Sequence, residues 1–202
     1  MAFTPNLASE MSALVNIAIL ASGNGTNADR ICRYFSDRED VNVGLIVTNK
    51  PHAGVLQIAD RYDVPSIVVS NAQLEGRLME TLKSHNIDFV VLAGFLRSVP
   101  HDVVKQYDQR MVNIHPALLP KFGGKGMYGH HVHRAVIDSG ERESGITIHQ
   151  VSEHYDEGNI VFQARCAVDT SDTPDSLAEK IHQLEHKHYP VIIDQLIKDF
   201  NQ

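Results

Sequence analysis

The 202-residue chain carries 18 basic and 25 acidic side chains, a formal net charge of −7. That balance argues against a broad nucleic-acid footprint but leaves room for a local basic pocket. With 43% apolar and 21% charged residues and no apolar run of membrane-spanning length, the composition is that of an ordinary globular protein.

Residues 1–12 read as a flexible lead-in, with Met1 and Met11 both candidate starts. Leu14 to Ala21 is a β-rich apolar run suited to a central parallel strand buried on both faces. It leads into Ser22-Gly23-Asn24-Gly25-Thr26-Asn27, after which Ala28 to Tyr34 reads as a helix. Strand, glycine turn and helix start together form an anion site, because free N–H groups and the helix dipole face the ligand. The spacing Gly-x-Gly-x-x-Ala meets a loose dinucleotide fingerprint, but the next strand ends Val47-Thr48-Asn49-Lys50, without the expected ribose acid. A single phosphate fits better, and a plain strand-to-helix turn is the alternative.

Further strands are expected at Val41–Thr48, Pro65–Val69 and Ile87–Gly94, with helices at Gly54–Tyr62 and Leu74–His85. The alternation predicts an α/β fold with a doubly wound, mostly parallel sheet, whose ligands lie outside the carboxyl ends of the strands. Three loops should meet there: Gly23 to Asn27, Gly94 to Val99, and Asn113 to Pro120. The last follows a strand ending at Arg110-Met111-Val112 and is stiffened by Pro116 and Pro120. Asn113 and His115, two apart on an extended chain, point the same way. An amide donor beside an imidazole suits a carbonyl that becomes an oxyanion while a nitrogen exchanges a proton. Taken alone, the pair could equally satisfy backbone groups of a strand-end turn.

Lys121 to Gly129 is glycine-rich and reads as a mobile loop over a site. His130, His131 and His133 open a helix to about Ile137; they do not share one face, so a metal site is disfavoured. Gly145–Val151 and Ile160–Val168 read as strands joined by a turn at Tyr155–Asn159, an antiparallel extension of the C-terminal edge. From Asp172 or Thr173 a helix runs to the C-terminus, with a break expected at Pro190. We expect one domain over 13–202, a nucleotide-binding half over about 13–110 and a catalytic half over about 111–202. Cys32 and Cys166, far apart and without C-x-x-C spacing, read as reduced thiols of a cytoplasmic protein.

Taken together, four segments resemble, in order and separation, the folate-dependent phosphoribosylglycinamide formyltransferase family, over nearly the whole chain after residue 15. They are Ser22 to Asn27, Val91-Leu92-Ala93-Gly94-Phe95-Leu96-Arg97, Asn113-Ile114-His115-Pro116 through Pro120, and Tyr155-Asp156-Glu157-Gly158. The resemblance implies a Rossmann-like formyltransferase fold and an enzyme of de novo purine (IMP) biosynthesis. Its reaction moves a formyl group from 10-formyltetrahydrofolate, as co-substrate, to the glycine amine of 5-phosphoribosylglycinamide, without a metal. It implies catalytic roles for Asn113, His115 and Asp156, with the Asp156 carboxylate favouring a charged His115. Ribonucleotide contacts fall on Gly25, Thr26, Asn27, His182, Gln183, Leu184 and Glu185. Folate contacts fall on Leu96, Arg97, Ser98, Val99, Asn113, Ser152, Glu153, His154, Tyr155 and Asp156. The partners implied are these small molecules, not nucleic acid or membrane; a homodimer is compatible.

One departure stands out: the arginine that many members carry early in the helix matching Leu74–His85 has no clear counterpart, since Arg77 is out of register. Related chemistries use a similar Asn-x-His and Asp site. Methionyl-tRNA formyltransferase adds a basic domain, and formyltetrahydrofolate deformylase an N-terminal regulatory one. A non-catalytic nucleotide-binding module would need only Gly23 to Asn27, and a nicotinamide oxidoreductase is disfavoured by the missing ribose acid.

Overall fold

The computed structural model describes residues 14–200; the lead-in at 1–12 lies outside them. Seven strands form one sheet in the order β3-β2-β1-β4-β5-β6-β7. β1 (Val15–Leu20), β2 (Val41–Thr48), β3 (Ser66–Val68), β4 (Phe89–Leu92) and β5 (Met111–His115) are mutually parallel. β6 (Glu143–Gln150) and β7 (Ile160–Ala167) add antiparallel pairs at the C-terminal edge, as expected. The helices are α1 (Thr26–Phe35), α2 (Val55–Arg61), α3 (Leu74–Ser84), α4 (His101–Gln106), α5 (His130–Asp138) and α6 (Pro174–Phe200).

Strand alternation decides which helix covers which face. Ile17 and Ile19 of β1, with Ala21 just beyond it, pack with Ile31 of α1, Val55 of α2, Val136 of α5 and Ile181 of α6. Their neighbours Ala18 and Leu20 pack with Leu78 of α3 and Val103 of α4. Both faces of the central strands are therefore buried, which is why they read as continuous apolar runs. The second cluster takes Met111 from β5 but, among the described residues, nothing from β6 or β7. Asn113 and His115 follow Met111 on that same side, beyond the reach of α3 and α4, and a cleft opens there.

Two local expectations give way to tertiary packing. α6 continues through Pro190 without a break. Proline inside a helix costs about 3 kcal/mol, and here Leu177, Ile181, Tyr189, Ile192, Ile193 and Ile197 are all buried along the helix. The Tyr189 hydroxyl also donates to Leu92 O at 2.8 Å and shares its proton with Val112 O at 3.2 Å, tying the helix to β4 and β5. The other difference is α4, a six-residue helix that the sequence did not announce. Only Val103 and Val104 of it are buried, too few to draw an apolar stripe.

Candidate active site

The chain around Asn113 and His115 is held by Thr147, which pairs with His115 across β5 and β6. Its buried hydroxyl donates to Ala117 O at 2.7 Å and accepts from Leu119 N at 2.9 Å and Gln163 Nε2 at 2.9 Å. One hydroxyl thus fixes the two-proline turn from both ends. Asp156 arrives from the loop between β6 and β7. That loop closes tightly because Gly158 leaves room for Gln150 O, which would lie 1.7 Å from a Cβ. Asp156 itself adopts a left-handed backbone, φ +58°, a strained conformation of a kind that clusters at active sites.

These elements bring four side chains together. Asp156 Oδ2 accepts from Gly124 N at 2.9 Å and lies 3.5 Å from His115 Nδ1. Asp156 Oδ1 lies 3.6 Å from His149 Nε2, which is 3.1 Å from Asn113 Nδ2. His149 Nδ1 sits 2.9 Å from Gln150 O and must donate there, so in the neutral ring Nε2 accepts one Asn113 hydrogen. The second Asn113 hydrogen is left for a ligand. His115 Nε2 donates to Phe122 O at 2.8 Å, in the glycine-rich segment that follows the turn.

Two influences oppose each other at His115. Burial draws its pKa below the ordinary imidazole value, against the upward pull of Asp156, expected from the sequence, and of the Phe122 carbonyl. Burial is the larger, so the net shift is toward the neutral ring. Burial also pushes Asp156 upward, but His149, His115 and the Gly124 N–H outweigh it and hold the carboxyl below its usual range.

This cluster forms part of the wall of a cleft of about 810 Å³. Gly25, Thr26 and Asn27 line one end of it, where α1 starts with a glycine cap at φ +78° and no side-chain cap. Its N–H groups remain open to an anion. A side chain at Gly25 would strike Val55 as well as strain the backbone. Leu96 to Val99 and Ser152 to Asp156 also line the cleft. Arg97, Ser98, Val99, Glu153, His154 and Tyr155 continue into an adjoining cavity of about 600 Å³ that reaches Glu75 and His101.

Of the α6 stretch, His182 and Glu185 line the cleft, whereas Gln183 is exposed and Leu184 packs on the core. A helix turns about 100° per residue, so positions i and i+3 share a face and those between them do not. Glu185 is 7% exposed, and burial raises its pKa despite the hydrogen bond from Asn27 Nδ2 at 2.9 Å. His149, a single histidine on an otherwise regular strand, lines the cleft without having had a sequence signal as a site residue. His133, weighed in the sequence only as one of three helix-start histidines that could hold a metal, lines it too. His133 is 2% exposed with its Nδ1 unpartnered, and burial lowers its pKa to about 4. Among the described residues, no group of three or more His, Cys, Asp or Glu is arranged to hold a metal ion.

Comparison with known proteins gives consistent matches over most of the chain. A family model described as formyl transferase matches residues 15–193. The chloroplastic phosphoribosylglycinamide formyltransferase of Arabidopsis thaliana is 40% identical over 191 residues, 91% of this chain and 65% of the relative. The chain thus spans just under two thirds of that plant relative's length. The phosphoribosylglycinamide formyltransferase of Bacillus subtilis is 34% identical over 187 residues, covering 89% of this chain and 93% of its own. The crystal structure of phosphoribosylglycinamide formyltransferase from Anaplasma phagocytophilum superposes with a TM-score of 0.84 at 32% identity, covering 92% of this chain and 88% of that one. Sequence and fold agree, and the chain belongs to the formyl transferase family, among its phosphoribosylglycinamide formyltransferases.

Proposed function

We propose that the protein transfers the formyl group of 10-formyltetrahydrofolate to the glycine amine of 5-phosphoribosylglycinamide, releasing tetrahydrofolate, as a step of purine biosynthesis. The observation that carries this reading is the Asn113–His149–Asp156–His115 cluster, set between an open helix N-terminus and a second cavity. The phosphate belongs against Gly25, Thr26 and Asn27, and the ribose end against His182 and Glu185. The folate extends along Leu96 to Val99 and Ser152 to Asp156, toward Arg97. The amine attacks the formyl carbon, the formyl oxygen becomes an oxyanion, and the folate nitrogen leaves once protonated. Asn113 donates its free amide hydrogen to that oxygen, an interaction strongest in the transition state. Neutral His115 is the form that can take the proton the attacking amine sheds. The resulting cation is stabilised by Asp156 and returns the proton to the folate nitrogen.

In the present arrangement His115 Nε2 is committed to Phe122 O. Withdrawal of the Lys121–Gly129 segment would free it, and protease sensitivity of that segment should then change when both substrates bind. One sheet carries both subsites, which supports a single formyltransferase domain over 13–202. Free thiols at Cys32 and Cys166 suit a reducing compartment, the cytoplasm in our reading. A homodimer would cover the outer edge of β7, where Ile160 and Val161 are exposed. The decisive test follows tetrahydrofolate absorbance with and without phosphoribosylglycinamide. Release that requires the ribonucleotide and is lost in His115→Ala is expected; release without it would mean hydrolysis of the folate instead.

A further inference from the structure

The carboxyl ends of β1, β2 and β4 and the segment after β3 are joined by one chain of polar groups. Leu96 N donates to Ser22 Oγ at 2.9 Å. That leaves the hydroxyl proton for Asn49 Oδ1, 2.5 Å away, and Asn49 Nδ2 in turn donates to Asn71 Oδ1 at 2.8 Å. Ser22 is bound to the same loop a second time, through its backbone N–H to Gly94 O at 3.0 Å. Ser22 and Asn49 are buried, at 2% and 7% exposed. Strand β1 has β2 on one side and β4 on the other, so Ser22 occupies the topological switch point of the sheet. The glycine loop begins at the next residue, and Asn71 borders both cavities.

We propose that Ser22 is a positioning residue that locks the glycine loop and the Leu96–Val99 segment into one unit, so that both substrates meet a single pre-set geometry. This inference rests on the formyl-transfer reading, which assigns the two loops to different substrates. Ser22 lines neither cavity; it acts through the backbone on either side. In Ser22→Ala, Asn49 Oδ1 and Leu96 N lose their shared partner, and both loops gain freedom that binding must then remove.

The test is calorimetric titration of the protein with phosphoribosylglycinamide and, separately, with tetrahydrofolate, alongside steady-state kinetics. In Ser22→Ala we expect both dissociation constants to rise about tenfold, the typical effect of one buried hydrogen bond left open. Turnover at saturation should change much less, because Asn113, His115 and Asp156 keep their own contacts. A change confined to one substrate, or a loss of turnover with binding intact, overturns the proposal. Should Ser22→Ala fail to fold, Asn71→Ala opens only the outer end of the chain. It should weaken both substrates by about two- to threefold; an effect on one alone, or on neither, overturns the proposal equally. If the unaltered protein binds neither compound, the formyl-transfer reading fails and takes this inference with it.

Discussion

The half-buried Asp156 and the buried Glu185 face one cleft, and their carboxyls are pushed in opposite directions. Burial raises each of them. Around Glu185 it is opposed mainly by a neutral amide hydrogen bond from Asn27, and the net shift is upward. Around Asp156 it is opposed by two imidazoles and a backbone N–H, and the net shift is downward. Two carboxyls of like chemistry are thus shifted downward at one end of the cleft and upward at the other. The polar and chargeable groups around each carboxyl, weighed against burial, decide the direction of its shift. The downward shift falls where the proposed reaction moves a proton, and the upward one where the sugar is placed.

The comparison is broken most directly at the catalytic end. Asn113→Ala should lower kcat by about 10²- to 10³-fold, and Asp156→Asn, which keeps the shape but not the charge, by about 10²-fold or more. In both, KM should move only a few-fold in steady-state assays, and near-normal turnover would remove that residue from the mechanism. His149→Phe preserves a buried ring while freeing the Asn113 amide and depriving Asp156 of a neighbour. We expect about a tenfold fall in kcat, the scale of one misplaced hydrogen bond, and an unchanged kcat would make His149 structural only.

At the other end, Glu185→Gln should raise KM for the ribonucleotide more than it lowers kcat. The sign of its pH effect follows from the raised folded-state value. Stability contributed by protonated Glu185 is present below the unfolded carboxyl value and lost as pH rises through the folded one. Glutamine should remove that loss in urea melts. The smallest effect is expected at His133, whose folded pKa of about 4 lies below the ordinary 6.5. Between those values the unfolded chain binds the proton and the folded one does not, so stability falls as pH drops through the window. His133→Phe should flatten that acid limb; an unchanged slope would show that another group carries it.

Local sequence pattern by itself determined much of this protein. Apolar runs alternating with helical stripes set the parallel sheet, and two-residue spacing placed Asn113 and His115 on one side. Leu177, Ile181, Glu185, Tyr189, Ile193 and Ile197 recur every fourth residue. That stripe sends a carboxyl into the core in any helix that continues through Pro190, although its continuity depended on burial that the local pattern cannot weigh. Only the tertiary structure decided that His149 faces Asn113, since strand register is fixed by contacts 36 residues apart in the chain. It alone built α4 on two buried valines. It alone set burial of His115 against its carboxylate, because a nearby carboxylate can be foreseen from a motif whereas the desolvation that outweighs it cannot. Periodicity is a property of neighbours in the chain; charge state and cross-strand pairing are properties of what long-range folding excludes from water and brings within hydrogen-bond reach.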